Sequence, residues 1–553
     1  MNFKLTLPQL LKICAYIVLI VFVGTLITIS LFPIYPDEIA IRYTLSRIVE
    51  DYPFKSTAIP VCMSTMLKKF EWFEFFPASI NWLLHGTISS PLALRILGVF
   101  IAILEFLMII KLFINTKTSS SGTKGNFSNL VICLGLIFSI LGLGNFPIFL
   151  VLNRNEQLII IALLGLLFLY NSLIDGEKWQ GRIFGYTLIY FGLLEILLYS
   201  HPKSLFLIPV VTLVGIEIFL KIDNKLAKTT FLILFLLIIY SFYNYWKNAY
   251  SCPDNTSIDI LNKSYSLDLG LLYTNPIKFF EMSILSFINN FKYVDHLIFS
   301  ESYEVDYLPG EEISFLEQVT NNILIAYFFV IYFIEIVYFL YFYTRKSTIS
   351  NKKYSSRNLI LVILFISINI GAIFNLPKHW YDADYFYYIL AIILIQLIAQ
   401  SSPKLFESKI YVSIIIALFA LSITSQGLFI KRNLTAFFSG FEGPGLSLTK
   451  FYRDNPRNSI KRLQESCGLN SKNNKFIFVD DLTYWSLKDT KWPFPITYLW
   501  IDANKEGLNS LFAKLQPDGV LVRCSSLLYN LGSPIIKDDN GEICCISKEN
   551  LKP

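Results

Sequence analysis

Glu156-Gln157-Leu158-Ile159-Ile160-Ile161-Ala162-Leu163-Leu164-Gly165-Leu166-Leu167-Phe168-Leu169-Tyr170 opens on two polar side chains and then runs apolar, interrupted only by Asn171 and Ser172 before Leu173 and Ile174 complete it. An α-helix needs about 20 such residues to cross the hydrocarbon core of a bilayer. Lipid offers no partner to a bare N–H or C=O, so a spanning stretch of this kind is helical. Reading outward, ten more blocks share its character: roughly 10–32, 91–114, 128–145, 183–200, 204–221, 229–247, 321–343, 358–376, 385–402 and 411–430. The sequence therefore predicts an all-α polytopic membrane bundle of about 11 transmembrane helices. Two of these blocks, 183–200 and 204–221, are separated only by Ser200-His201-Pro202-Lys203.

Composition agrees. Of 553 residues, 54% are hydrophobic and 16% aromatic, and the mean hydropathy is +0.52, too apolar for a soluble domain. A formal charge of +6 is small for this length and signals neither nucleic acid nor an acidic partner. The first block is longer than a signal-peptide core and lacks a small-residue cleavage site, so it reads as a retained anchor.

Orientation follows from Lys and Arg in the short loops. With the N-terminus inside, the inner segments carry Lys4 and Lys12, Lys117 and Lys124, Lys178 and Arg182, and Lys221, Lys225 and Lys228. They continue with Arg345, Lys346, Lys352, Lys353 and Arg357, then Lys404 and Lys409, whereas the short outer loops hold Arg154, Lys203 and Lys378. This places 33–90, 248–320 and the tail from 431 outside. Two domains are expected: a transmembrane domain over 1–430 and an extracytoplasmic domain over 431–553.

The tail has turn signals, charges and short apolar runs. Phe476-Ile477-Phe478-Val479 and Gly519-Val520-Leu521-Val522 read as strands, and Ser459 to Gln464 as part of a helix, which makes a small α/β domain. Cys467, Cys524, Cys544 and Cys545 lie there, and an oxidising compartment would permit one or two disulfides. Buried free thiols are the alternative, and the sequence does not fix a pairing.

The candidate chemistry lies at the outer ends of the spans. The first outer loop opens Phe32-Pro33-Ile34-Tyr35-Pro36-Asp37-Glu38-Ile39-Ala40-Ile41-Arg42-Tyr43. Two acids after a proline suit a helix start, where they complement the helix dipole. Their position just past a span also asks for a reason to keep ionised groups there. The stretch 38–50 is amphipathic and would lie along the interface. Three further junctions carry charge: Asn153-Arg154-Asn155-Glu156-Gln157, Ser200-His201-Pro202-Lys203, and Lys378-His379-Trp380-Tyr381-Asp382-Ala383-Asp384. Polar loops and anchoring Lys or Trp explain each alone. Together they describe one outer-face site of carboxylates, cations and aromatics, which suits an anionic lipid head group and a sugar.

On these residues the N-terminal half resembles the polyprenyl-phosphate-sugar-dependent membrane glycosyltransferases of the GT-C fold. The pattern is that of the aminoarabinose transferases that modify lipid A and of the protein O-mannosyltransferases. In that family an Asp-Glu pair follows the first span, as Asp37-Glu38 does here, and an Ala/Arg/Tyr-rich amphipathic helix comes next, as in Ala40-Ile41-Arg42-Tyr43. Glu156 stands where the family usually has Asp, and Lys203 keeps the lysine of a Lys-Gly-Pro motif whose Gly-Pro is absent. The family's proline-rich motif has at best a remnant in 54–60.

The resemblance implies inverting transfer of a sugar from a polyprenyl-phosphate donor to a lipid, glycan or protein acceptor. Asp37 would be the general base and Glu38 would orient the acceptor or stabilise its helix. Arg154, Lys203, Lys378, His201 and His379 would hold the departing phosphate, with Arg42 nearby. Glu156, Trp380, Tyr381 and Asp382 would bind the sugar. No cofactor is required, and clustered carboxylates leave room for a divalent metal. The setting implied is a bacterial inner (plasma) membrane with the site and C-terminus facing the periplasm. The outer-side sequons Asn255-Thr256-Ser257 and Asn433-Leu434-Thr435 also fit an endoplasmic reticulum.

Two rivals use the same residues differently. A polyprenyl-linked oligosaccharide transferase or polymerase would move a whole glycan. A lipid or solute transporter would need ionisable residues at the bilayer midplane and paired broken helices. Glu105, Glu195, Glu217 and Glu335 lie inside spans but are scattered and show no repeat.

Overall fold

The computed structural model describes residues 6–34, 38, 88, 90–121, 130–175, 182–250, 266–295, 314–345, 352–376, 380–400, 409–440, 446–453, 456–469, 476–486, 492–495, 517–526 and 534–551. The bundle is built from α1 (Leu7–Ile29), α2 (Pro91–Ser121), α3 (Leu130–Leu141), α4 (Phe146–Val151), α5 (Asn155–Asp175), α6 (Ile183–Ser200) and α7 (Ile208–Lys221). It continues with α8 (Lys225–Tyr250), α9 (Leu271–Thr274), α10 (Pro276–Asp295), α11 (Phe315–Arg345), α12 (Lys352–Phe374), α13 (Trp380–Gln400) and α14 (Lys409–Ser439). Nine of the described helices are long and apolar enough to cross a membrane, and Leu130–Leu141 and Tyr385–Gln400 are shorter apolar helices. The chain is an integral multi-pass membrane protein.

Every predicted span falls on a helix, but the block 128–145 is not one continuous span. Its helix stops at Leu141, Gly144 turns the chain at φ +57°, and α4 begins anew with Pro147 at its second position. All of α4 is buried. Irregular backbone at membrane depth is tolerated where protein satisfies it. Here the Gly144 N–H donates to Ser425 Oγ (3.3 Å), and the Gln157 side-chain amide donates to the Leu150 carbonyl.

The α1 helix shows how the bundle closes. Leu11, Ala15, Val18, Phe22 and Leu26 recur at three- and four-residue steps and are buried, while Ile13, Ile17, Ile20 and Ile27 on other faces are exposed to the lipid. The buried stripe packs on α3 and α14. Small residues set the approach: a Cβ at Gly135 would lie 2.6 Å from the Ala15 Cβ. Between lipid-soluble helices polar bonds act as glue, each contributing about 0.6 kcal/mol. Thr25 Oγ1 donates to Gln426 Oε1 (3.0 Å), Gln426 Nε2 donates to Ser422 Oγ (2.8 Å), and the Asn433 side chain donates to the Thr28 carbonyl.

Beyond α14 lies a second hydrophobic core. The elements of this region are α15 (Leu448–Arg453), α16 (Arg457–Ser466), β1 (Phe476–Val479), α17 (Asp481–Tyr484), β2 (Trp492–Pro495), β3 (Gly519–Arg523), β4 (Ile536–Lys537) and β5 (Ile543–Ser547). The sheet order is β2-β1-β3-β5-β4, with β1 parallel to β2 and β3, and β5 antiparallel to β3 and β4. Both predicted strands and the predicted helix are present. Adjacent residues of a strand point to opposite faces. Cys544 and Cys545 on β5 therefore staple different neighbours: Cys545 pairs with Cys467 at the end of α16, and Cys544 with Cys524 after β3. The domain sits on one end of the bundle. Ile34, just past α1, exchanges backbone bonds with Leu446 (3.0 and 2.8 Å), and Ile34 and Leu94 join the second core.

Candidate functional site

The domain-proximal end of the bundle gathers the end of α1 and the starts of α2, α5, α7 and α13. Two buried ion-paired clusters lie there, linked by residues 153–156.

The first is centred on Arg95, fully buried near the start of α2. Its Nη1 donates to Glu38 Oε1 (2.9 Å) and its Nη2 to Glu38 Oε2 (2.8 Å). The same guanidinium donates to the carbonyls of Phe32 and Pro33 and lies over the Phe32 ring at 5.7 Å. Glu38 Oε1 also accepts the Asn153 N–H (2.8 Å), and Asn153 Nδ2 donates to the Leu94 carbonyl (2.6 Å). Planar bidentate donors match a carboxylate, which is why arginine serves here. One side chain thus ties the chain leaving α1 to α2 and to the α4–α5 junction.

Gly98 makes that contact geometrically feasible. A Cβ there would fall 2.0 Å from the Val151 carbonyl oxygen and 3.0 Å from Asn153 Nδ2. The nearest obstacle is backbone, so it cannot rotate away. Gly98→Ala is expected to force the 151–153 backbone off α2 and to cost about 1–3 kcal/mol, the usual range for overpacking. A thermal unfolding midpoint equal to that of the unsubstituted protein in the same detergent would contradict this.

The second cluster surrounds Glu156 in the first turn of α5, 1% exposed. A carboxylate there faces the positive end of the helix dipole. Arg154 Nε donates to Glu156 Oε2 (3.2 Å) and Arg154 Nη2 to Oε1 (3.3 Å). Lys203 Nζ, from the 3₁₀ turn Pro202–Leu207 between α6 and α7, lies 3.4 Å from Oε1. His201 Nδ1 accepts the Lys203 N–H (3.2 Å), which leaves Nε2 to carry the hydrogen, and Nε2 points at Glu156 Oε1 from 4.0 Å. Arg154 and Lys203 are buried, while the His201 side chain is 22% exposed and forms the rim. Lys203 Nζ also sits 5.9 Å from the centre of the Tyr385 ring, in the second turn of α13. The Tyr385 hydroxyl is buried and finds no hydrogen-bond partner among the described residues.

The structure therefore brings together Arg154, Glu156, His201 and Lys203, and sets Glu38 one backbone bond away through Asn153. Asp37, Arg42, Lys378 and His379 lie outside the described residues. Trp380, Tyr381 and Asp382 form the first turn of α13, one turn before Tyr385. Arg95 and Tyr385 are site residues that the sequence reading missed. Arg95 carried a signal, since an arginine inside an apolar span needs a buried partner. Tyr385 carried none, being one of six aromatic residues between 380 and 388. Glu105 and Glu335 are fully buried on α2 and α11 respectively, on separate helices. Among the described residues no group of three His, Cys, Asp or Glu side chains could hold a metal ion.

Fold and site define a class: a multi-pass helical membrane protein with an ion-paired polar site buried at one end of its bundle, under a small mixed-sheet domain. No family model matches the chain, and no curated protein matches it. Among solved structures it is similar to ArnT from Cupriavidus metallidurans bound to undecaprenyl phosphate, with a TM-score of 0.45 and 11% identity, covering 96% of this chain and 97% of that one. It is also similar to the archaeal oligosaccharyltransferase AglB from Archaeoglobus fulgidus, in complex with an inhibitory peptide and a dolichol-phosphate, with a TM-score of 0.43 and 13% identity over 96% of this chain and 74% of that one. A structure of the Archaeoglobus fulgidus oligosaccharyltransferase in complex with Zn and sulfate gives a TM-score of 0.43 at 12% identity, over 96% and 73%.

Proposed function

We propose that the chain is a membrane glycosyltransferase that moves a sugar from a polyprenyl-phosphate donor to a lipid, glycan or protein acceptor on the outer face of the membrane. The observation that carries this reading is the convergence of Arg154, Lys203 and His201 on Glu156 from two separate helix junctions at one end of the bundle. Cations fixed in a water-poor site suit a phosphate that gains charge as the glycosidic bond breaks. The Asp37-Glu38 junction, with its resemblance to the GT-C enzymes, supplies the rest. Asp37 acts as the general base on the acceptor hydroxyl, which attacks the anomeric carbon from the face opposite the phosphate and inverts it. Arg154 and Lys203 receive the departing phosphate, and Glu156 holds them in place. Glu38, gripped by Arg95 and Asn153, fixes the segment that bears Asp37.

The test uses purified full-length protein in lipid nanodiscs with polyprenyl-phosphate-linked monosaccharides as donors. Asp37→Asn is expected to abolish transfer while leaving expression and insertion intact, and wild-type turnover in that variant sinks the base assignment. Lys203→Gln is expected to weaken binding of undecaprenyl phosphate roughly ten- to hundredfold, the value of a charge-assisted hydrogen bond. Transfer from lipid-linked oligosaccharides but not monosaccharides would move the reading to an oligosaccharide transferase.

A further inference from the structure

The helix α10 lies in the segment 248–320, and its faces are inverted relative to a water-exposed loop helix. Phe279, Ser283, Ser286 and Asn290 recur at three- and four-residue steps and form its buried face. Three of those four are polar, and two of them cap the end of α12. Ser286 Oγ donates to the carbonyls of Ala372 (3.1 Å) and Asn375 (2.9 Å), and Asn290 Nδ2 donates to that of Ala372 (2.7 Å). The last carbonyls of a helix have no partner within it, so this docking satisfies groups that lipid would leave bare.

The outward surface of α10 divides in two. At 3.6 residues per turn, Ile277, Phe280, Ile284 and Ile288 fall on one arc, and they are 81%, 60%, 60% and 53% exposed. Lys278, Glu281 and Asn289 are also exposed and fall on the flank between that arc and the buried face, with Leu285 (49% exposed) among them. The helix thus presents one face to protein, one that is wholly apolar and one flank that carries its charges. A helix surrounded by water has no use for the second, and a helix inside the hydrocarbon has no place for the third.

We propose that α10 lies in the membrane–water interface at the domain-proximal end, with Ile277, Phe280, Ile284 and Ile288 among the acyl chains of that leaflet and Lys278, Glu281 and Asn289 at the aqueous side. The occupant of the apolar face is bilayer lipid because α10 packs on the spans α11, α12 and α13, and α11 exposes Leu316 and Ile323 of its own to lipid. The inference stands independently of the enzymatic reading, and it sets the depth of the candidate site. Phe279 packs on Phe374 (6.2 Å between ring centres), and Phe374 stacks on Phe206 (6.5 Å), in the same turn as Lys203. An interfacial α10 would put the Glu156–Lys203 cluster near head-group level, where a lipid-borne phosphate lies.

The test places a nitroxide at Ile284→Cys and, separately, at Asn289→Cys in full-length protein in phosphatidylethanolamine/phosphatidylglycerol nanodiscs, subtracting the spectrum of the unsubstituted protein labelled in parallel. Both positions are exposed, so the substitutions leave the packing intact. The expected result is a reversal. The label at 284 relaxes more with oxygen, which partitions into lipid, than with a water-soluble nickel chelate, and the label at 289 does the opposite. Greater relaxation by nickel at 284 would put that face in water and overturn the proposal. Protection of 284 from both agents would mean that protein covers the face, and would overturn it equally.

Discussion

Glu156→Gln is expected to be the most damaging single substitution in the bundle, lowering stability by roughly 3–5 kcal/mol, the cost of breaking a buried ion pair from one side. The residue is 1% exposed and is the acceptor shared by Arg154 and Lys203, with His201 at the edge of reach. The amide keeps the volume but loses the charge, so two buried cations lose a shared anion that offsets part of their desolvation. It also loses the favourable interaction with the α5 dipole, about 0.3–1 kcal/mol more. Lys203→Met is expected to cost clearly less, because the Arg154–Glu156 pair survives and methionine packs where the lysine stem lay. Unfolding in mixed detergent micelles, read by circular dichroism, measures the contrast. Equal midpoints for the two variants would show that Glu156 is not the hub of the cluster.

Arg95→Met should come close to the same loss, about 3–5 kcal/mol, by a different route. It strips both guanidinium bonds from the buried Glu38 carboxylate and removes the donor from the carbonyls of Phe32 and Pro33. The double variant Arg95→Met/Glu38→Gln tests the mechanism, since taking the charge from both partners is far cheaper than leaving one behind. Its stability should lie well above that of Arg95→Met alone, giving a coupling of at least 1 kcal/mol in a double-mutant cycle, within the range for residues in contact. Arg95→Lys should recover only part of the loss, because an ammonium cannot reproduce the planar fork that meets both carboxylate oxygens. Additive single-variant losses would mean that Glu38 and Arg95 are held independently of each other.

The sequence by itself determined where the long apolar spans are. Lipid rewards local apolarity over about 20 residues, so blocks such as 156–174 and 10–32 declare themselves without knowledge of their neighbours, as do the short apolar runs of β1 and β3. It also located the charged junctions, because an ionisable group at the end of an apolar block stands out against its surroundings. The tertiary structure alone decided the pairings. Glu38 meets Arg95 across 57 positions and Glu156 meets Lys203 across 47. Neither separation repeats a local period that a reader could follow. The break of 128–145 into α3 and α4 depends on Ser425 and Gln157 being in place to satisfy the exposed backbone. The inward turn of Ser286 and Asn290 depends on the bare carbonyls at the end of α12. Burying a polar group is tolerable only beside its partner, and in a bundle the partner is chosen by how helices distant in sequence are laid side by side.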